Sequence, residues 1–551
     1  MWIFGVNQLL GLILSITFFF VYFCLFYFFF YSVISGTFFI EYYLFRILGV
    51  DVGFTFIFDF ISLGFSGCVS FISGVVFVYR TFYMAGTVDF RRFYLLVLLF
   101  VLSMFILVFS GNFFLTMLGW DGLGLVSFCL VIFYSNSASL ESGLVTVLSN
   151  RIGDVFFLCS FFFIFSLGTF SWDLSSFVFF KGLGFLLLLG ALTKRAQLPF
   201  RAWLPAAMAA PTPVSSLVHS STLVTAGVYV LIRYNYIFYF LNTYFFSVLF
   251  LITMVLAGLS ARLESDLKKI VAISTLSQLG IIIFVLSVGG WVLSFIHMVI
   301  HAFFKSILFL RTGSMISQKG GTQDSRFYGT LNYSFGSFLY FVVRSFCLSG
   351  FPFLIGFYSK DFIISSFSLE IGSFLFILFI VGCFLTVSYS MRLLVEGYRF
   401  ILKYVRYFSF YEEIAFFLPV SFLYFKCWLL GGLFYMTFLR EFLSYLKSID
   451  LFLGILLIIG GLLLYLLLRF LYSFFVVLSM ILYIRWFSTS GSSFTSRGLV
   501  YSKFELSWIE LVGGGGVFLS LNKINKSFFF YKNIGVRWII ILLLYFGFYL
   551  I

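Results

Sequence analysis

Apolar runs of roughly 20 residues, the length that carries a helix across about 30 Å of hydrocarbon, recur from the first dozen residues to the last. Leu9 to Tyr31, Tyr94 to Ser110, Gly182 to Leu192, Phe245 to Leu259, Phe374 to Ser388 and Leu451 to Leu468 are examples. Allowing for runs interrupted by single polar residues, the pattern predicts about 15 or 16 spans. The runs do not alternate with period two, so they read as helices rather than barrel strands. Of 551 residues, 62% are hydrophobic and 10% charged, which leaves no room for a large soluble domain. The fold class expected is an all-α integral membrane protein.

The net charge of +14 is not a nucleic-acid signature, because Lys and Arg are scattered between and inside the apolar runs instead of lining one face. Basic loops on a membrane protein reflect the positive-inside bias and contact with anionic lipid. The seven cysteines stand singly inside apolar runs, without the clustering that iron–sulfur ligation needs. The first apolar run has neither a basic flank nor a small-residue cleavage site, so it is expected to stay as a helix. Phe occurs 88 times and Pro 6 times; a T-rich, C-poor coding genome, as in organelles, would produce that bias.

Scarcity makes the prolines informative. Pro199, Pro205, Pro211 and Pro213 cluster, Pro352 sits alone in a Gly-Phe-Pro-Phe sequence about 150 residues further on, and Pro419 lies in a late apolar run; each is expected to break or end a helix. A broken helix within a bilayer is tolerated only where protein or a water-filled cavity satisfies the freed backbone groups, and two such breaks in corresponding positions mark transporters built from two repeats. The punctuation therefore divides the chain into N-terminal helices (1–110), a first repeat (111–236), a second repeat (240–396) and C-terminal helices (397–487). A polar stretch at 488–535 reads as an amphipathic helix lying along the membrane, weakened by the glycines at 513–516, and a last span occupies 536–551.

All three histidines fall in the two central units: His219, His297 and His301. The spacing of His297, His301 and Lys305 is i, i+4, i+8, which sets them on one helical stripe about 12 Å long. Ionisable groups inside a membrane span are costly and commonly line an ion pathway; satisfied core histidines with a snorkelling lysine are the plainer reading. Zinc fits poorly, since no Glu stands between the histidines and no third ligand is near. Lys194 closes an apolar run just before the first proline cluster, and Asp121 and Asp154 are its candidate partners. An approaching carboxylate would alter the lysine's proton affinity, whereas a static buried pair would only hold helices together. Lys360 and Asp361 repeat the motif of a lysine near an interrupted helix. The turn from Glu264 to Lys269 reads as an aqueous face. There is no phosphate-binding loop, dinucleotide fingerprint or nucleophile–histidine arrangement, so the chain is expected to bind neither NADH nor ATP.

The string KRAQLPFRAWLPAAMAAPTPVSSLVHSSTLVTAGVY (194 to 229) closely resembles the broken-helix segment of the antiporter-like subunits of respiratory complex I. WDGLGLVSF (120 to 128), NRIGD (150 to 154), DLKKIVAISTLSQLG (266 to 280), HMVIHAFFKSILFLRTGS (297 to 314) and FPFLIGFYSKD (351 to 361) resemble that family in the same order. The lysine of GFYSKD and the PTPVSSLVHSS wording are similar to the subunit 5 branch rather than to subunits 2 and 4. The resemblance implies two inverted five-helix repeats with broken helices, and a lateral helix followed by an anchoring span. It also implies that Asp121 and Lys194 form the first carboxylate–lysine pair, Arg151 and Asp154 a second charged pair, and His219 the neighbouring broken-helix histidine. His297, His301 and Lys305 would then be the central relay, and Lys360 with Asp361 the outlet pair. Two departures stand out: Asp121 occupies a place where the family usually has the longer Glu, and Ala209 and Ala210 replace a pattern usually ending in Gly.

By this resemblance the chain is a proton-translocating subunit of NADH:ubiquinone reductase with no redox site and no metal of its own. NADH, FMN, iron–sulfur clusters and quinone would reside in partner subunits. Its partners would be other membrane-arm subunits, subunit 4 above all, accessory subunits, and membrane lipids such as cardiolipin, with no nucleic acid. Its location would be the mitochondrial inner membrane, the bacterial plasma membrane being the other option. The rival readings are a free-standing cation/proton antiporter of the same fold and a structural arm subunit whose charges are static pairs.

Overall fold

A chain this apolar satisfies its backbone inside lipid only by making its hydrogen bonds within each segment, and helices result. The computed structural model describes residues 2–47, 50–84, 89–166, 181–236, 238, 241, 243–318, 320–327, 335–352, 354–367, 372–398, 410–434 and 448–470. All of these lie in one unit, Met1–Val476. Among the described residues ten helices are long and apolar enough to cross a membrane, and four shorter apolar helices accompany them: Gly182–Lys194, Tyr340–Ser349, Phe416–Cys427 and Leu453–Leu467. The lateral helix expected at 488–535 and the final span at 536–551 lie outside the described residues.

The N-terminal part holds α1 (Trp2–Ser35), α2 (Phe60–Tyr83) and α3 (Phe90–Phe109). Between α1 and α2 stands an element the apolar-run reading did not foresee, an antiparallel hairpin of β1 (Phe38–Ile47) and β2 (Val50–Phe58) pairing Phe38 with Phe58 and Ile47 with Val50. Its strands are rich in aromatic and β-branched residues, which suit a pleated surface. The hairpin is tied to the turn after α3: Gly111 N–H donates to the Thr55 carbonyl at 2.7 Å, and the Asn112 amide donates to the Gly53 carbonyl at 2.9 Å while accepting from the Thr55 hydroxyl at 2.6 Å. Helix α2 begins where Asp59 caps it, accepting from Ser62 N–H at 2.8 Å while the Asp59 N–H donates to the Ser62 hydroxyl at 2.9 Å. Arg233 grips the same carboxylate at 2.5 and 2.8 Å.

Residues 111–236 form α4 (Phe113–Val131), α5 (Ser137–Ser166), α6 (Lys181–Lys194), a one-turn α7 (Trp203–Ala206), α8 (Thr212–Ser220) and α9 (Leu223–Arg233). Pro199 and Pro205 lie, as expected, in the interrupted stretch between the end of α6 at Lys194 and the start of α8 at Thr212, whereas Pro211 and Pro213 act differently. Pro211 caps α8 and Pro213 lies in its first turn, where a missing N–H is no loss. The interruption within the span Thr212–Arg233 falls later, at Ser221 and Thr222, where there is no proline. There the Thr222 hydroxyl donates to the Leu217 carbonyl at 2.9 Å, the kind of side-chain substitution that lets a membrane helix break.

Residues 240–396 form α10 (Thr243–Leu263), α11 (Leu267–Ser287), α12 (Trp291–Gln318), α13 (Phe335–Ser349), α14 (Ile355–Phe367) and most of α15 (Ser373–Tyr398). Helix α13 ends at Gly350, whose φ of +82° is a conformation that L side chains rarely adopt. The N–H groups of Phe351 and Gly350 close back onto the carbonyls of Phe346 and Cys347 at 3.0 and 3.3 Å, a Schellman ending with Pro352 just beyond it. Beyond α15 come α16 (Phe410–Phe434) and α17 (Ser448–Phe470). Pro419 was expected to break its run; it sits inside α16, which continues through it, as membrane helices permit.

Burial sorts the spans. The apolar window of α1 is 22% buried and that of α5 33%, whereas α8 with α9 and α11 reach 100% and α12 94%. Peripheral helices thus offer Leu9, Ile13, Ile16 and Phe20 to lipid, and the polar residues of α8, α11 and α12 are enclosed by protein.

Candidate functional site

In the first half, Lys194 ends α6 with its side chain wholly buried. Its ammonium donates to the Trp120 carbonyl at 2.5 Å and stands 3.7 Å from the centre of the same indole ring. Trp120 in turn donates through Nε1 to Asp154 Oδ1 at 2.9 Å, and Arg151 meets the other oxygen of Asp154 at 3.5 Å. No ion pair within 4.0 Å joins Lys194 to Asp121 or to Asp154, although both carboxylates act on it at longer range. The direct Lys194–Asp121 pairing is therefore not what forms. Neighbours on a helix project about 100° apart, so with the Trp120 ring against Lys194 the Asp121 carboxylate turns elsewhere, and its buried Oδ1 has no hydrogen-bond partner among the described residues. Trp120 is the residue the sequence reading quoted in WDGLG and passed over.

His219 sits in the last turn of α8, buried, its ring 6.3 Å from that of Trp203 and 6.4 Å from that of Phe309. Its Nδ1 has no hydrogen-bond partner among the described residues.

The expected stripe on α12 forms within one uninterrupted helix, with His297, His301 and Lys305 all buried. His297 is held from two sides, Nδ1 lying 2.9 Å from the Ser359 hydroxyl and Nε2 3.3 Å from Gln278 Oε1. Lys305 donates to the Ser274 hydroxyl at 2.6 Å. Among the described residues neither ring nitrogen of His301 has a hydrogen-bond partner, and its ring meets Phe304 edge-on at 5.2 Å. Ser274 and Gln278 lie on α11 beyond the turn read as an aqueous face, in the DLKKIVAISTLSQLG string to which the sequence assigned no site residue. Their i, i+4 spacing in an otherwise apolar helix was the available signal. In the preceding turn Lys269 pairs with Asp266 at 2.8 Å and is half exposed, while Lys268 is buried and reaches the Ala210 carbonyl at 3.5 Å.

Lys360, on α14, is buried and donates to the Thr386 hydroxyl of α15 at 2.7 Å. Asp361 faces Gly454 of α17, and its buried Oδ2 has no hydrogen-bond partner among the described residues. No ion pair within 4.0 Å joins Lys360 and Asp361, so the outlet pair inferred from adjacency is not a contact. A cavity of about 480 Å³ lies elsewhere, lined by Asn235, Ser247, Ser287 and Trp291 among others, and contains none of the residues expected on the path.

Buried cations, each seated on a hydroxyl, a carbonyl or an indole along enclosed and partly broken membrane helices, define a membrane protein built to handle charge within the bilayer. The chain belongs to the family described as NADH:quinone oxidoreductase/Mrp antiporter, whose transmembrane model matches residues 110–386. Within it, the chain is 40% identical over 480 residues to NADH-ubiquinone oxidoreductase chain 5 of Locusta migratoria, covering 81% of this chain and 82% of the relative. It is 47% identical over 334 residues to chain 5 of Anopheles gambiae, covering 58% of this chain and 56% of that relative. Among solved structures, an Mrp complex from a Dietzia species superposes with a TM-score of 0.71 at 23% identity, over 99% of this chain and 64% of that one. The membrane-bound sulfane sulfur reductase, an archaeal respiratory membrane complex, does so with a TM-score of 0.67 at 20% identity, over 78% and 95%. At those identities the likeness is one of fold.

Proposed function

We propose that this chain is a proton-translocating core subunit of the membrane arm of respiratory complex I, driven by NADH:ubiquinone electron transfer in other subunits. The observation that carries the reading is Lys305: wholly buried at the middle of α12, with its ammonium on the Ser274 hydroxyl at 2.6 Å. A lysine there is balanced between the solvation it has lost and the charges and dipoles around it, so a modest displacement of one neighbour changes its hold on a proton. One unit of such change amounts to about 1.4 kcal/mol. Lys194 and Lys360 extend the row on either side in sequence, with Asp121, Arg151, Asp154, His219, His297, His301 and Asp361 as the further groups of the path.

In this reading residues 111–236 and 240–396 are the two inverted repeats, each supplying a half-channel. The chain carries no redox centre; NADH, FMN, iron–sulfur clusters and quinone belong to partner subunits. Its neighbours are other membrane-arm subunits, including subunit 4, with cardiolipin among its lipids, in the mitochondrial inner membrane. The relatives named chain 5 of NADH-ubiquinone oxidoreductase support the assignment.

The test is Lys305→Ala in the intact assembly, reconstituted in liposomes with protons counted per electron. A lower yield with electron transfer still running is expected. An unchanged yield sinks the pumping role and leaves a structural arm subunit. Co-purification with flavin and iron–sulfur subunits separates this reading from a free-standing antiporter.

A further inference from the structure

Lys305 and Lys360, two buried lysines of the second half, are joined by more than the histidine stripe. Lys305 donates to Ser274 at 2.6 Å, and Lys360 donates to Thr386 at 2.7 Å. One turn along α11 from Ser274 stands Ser277, and one turn along α15 from Thr386 stands Tyr389; the hydroxyls of Ser277 and Tyr389 are 3.0 Å apart. Ser274, Ser277, Thr386 and Tyr389 are all fully enclosed. Residues at i and i+3 share a helix face, so Ser274 and Ser277 stand one turn apart on α11 and Thr386 and Tyr389 one turn apart on α15, which leaves two gaps for bridging water to close.

Tyr389 is the informative member. In a chain with 88 Phe, Phe is the default aromatic filler, and a phenol enclosed in protein adds a polar group that must find a partner. This one finds it on the facing helix, on the residue one turn from the partner of Lys305. The histidine line is less continuous: His297 is held by Gln278 and Ser359, but the nitrogens of His301 have no hydrogen-bond partner among the described residues. Packing alone accounts less well for the arrangement. Ser274 and Thr386 already satisfy their own hydroxyl protons on the Val271 and Cys383 carbonyls at 2.8 and 2.7 Å, as hydroxyls in membrane helices do. They nonetheless also receive the two lysines.

We propose that Ser274, Ser277, Tyr389 and Thr386, with water in the two gaps, form a second proton branch between Lys305 and Lys360, parallel to the line through His301 and His297. The inference rests on the proton-path reading above. A proton leaves the Lys305 ammonium; the Ser274, Ser277 and Thr386 hydroxyls, which rest on the Val271, Ser274 and Cys383 carbonyls, turn toward the next oxygen, each hydroxyl or water takes one proton as it releases its own, and the Lys360 amine takes the last. One N–H bond breaks at Lys305 and one forms at Lys360, with no net change on any oxygen between them.

The test measures protons per electron in the intact assembly in liposomes, with assembly checked by the amount of intact complex recovered. Two parallel branches predict a partial loss in Tyr389→Phe. They predict a loss as complete as that of Lys305→Ala when Tyr389→Phe is combined with His301→Gln. Thr386→Ser, which keeps the hydroxyl, should pump better than Thr386→Val, and this pair decides the matter if Tyr389→Phe does not assemble. The branch is overturned if Tyr389→Phe pumps like the parent alone and on the His301→Gln background, or if Thr386→Ser and Thr386→Val fall equally. If Lys305→Ala itself leaves pumping intact, it is the underlying proton-path reading that fails.

Discussion

Lys360 and Asp361 are adjacent in sequence and diverge in space: the lysine donates to Thr386 of α15 at 2.7 Å, while the carboxylate lies against Gly454 of α17, where an added Cβ would overlap it. The two charges therefore serve different helix contacts. Gly454→Ala should displace the Asp361 carboxylate from its seat and lower stability by about 1–3 kcal/mol, the usual penalty of overpacking. Thermal unfolding of the detergent-solubilised assembly would show a lower midpoint, and an unchanged midpoint would contradict the contact.

Trp120 links Lys194 to Asp154 through its carbonyl and its indole N–H. Trp120→Phe keeps the carbonyl and the ring face but removes the donor, leaving Asp154 with Arg151, whose side chain is 46% exposed and so contributes little. A double-mutant cycle of Trp120→Phe with Asp154→Asn should give a coupling energy of about 0.5–3 kcal/mol. Strict additivity would mean that the indole bond carries no energy.

Asp59, just ahead of α2, supplies the pH dependence. Burial pushes its carboxyl upward, but the charge and hydrogen bonds of Arg233, with Ser62, outweigh this and hold it below the ordinary carboxylate value. A lowered folded-state value means stabilisation that is fully present above the unfolded-state value, near 4, and lost as pH falls through the folded one. Titrating unfolding from neutral pH into acid should show that loss in the parent and a shallower slope in Asp59→Asn. Equal slopes would remove the Asp59–Arg233 pair as its source.

Asn112 is the staple of the hairpin, bonded to Thr55 and to the Gly53 carbonyl. Asn112→Ala strands buried polar groups, at a cost of about 1–3 kcal/mol. Amide hydrogen exchange across 38–58 should accelerate while exchange in α11 and α12 stays as in the parent; no change in the hairpin would show that strand pairing alone holds it.

What could be read from the sequence followed from distances measured along one helix. An apolar run of bilayer length without period-two alternation is a helix, because only helices and closed barrels satisfy the backbone in lipid, and i, i+4, i+8 spacing puts His297, His301 and Lys305 on one face whatever surrounds them. The positions of Lys194, Lys360 and the carboxylates were found in the same way, and the order of the motifs pointed to the family. Proline was a poorer guide, since Pro211 and Pro213 start α8, Pro419 lies within α16, and the break at Thr222 is made by hydroxyls.

What the tertiary structure alone decided is which groups face one another. Lys194 found an indole instead of Asp121, Lys305 found Ser274, Lys360 found Thr386 instead of its neighbour Asp361, and Tyr389 found Ser277. The reason is physical: in lipid the apolar faces of many helices are nearly interchangeable, so pairing is chosen by close packing and by the few polar groups that must be satisfied. Those partners lie on other helices, tens of residues away in the chain. The sequence by itself determined the helices and the faces their charges occupy; the assembled bundle determined the hydroxyls, carbonyl and ring that hold the buried Lys194, Lys305 and Lys360.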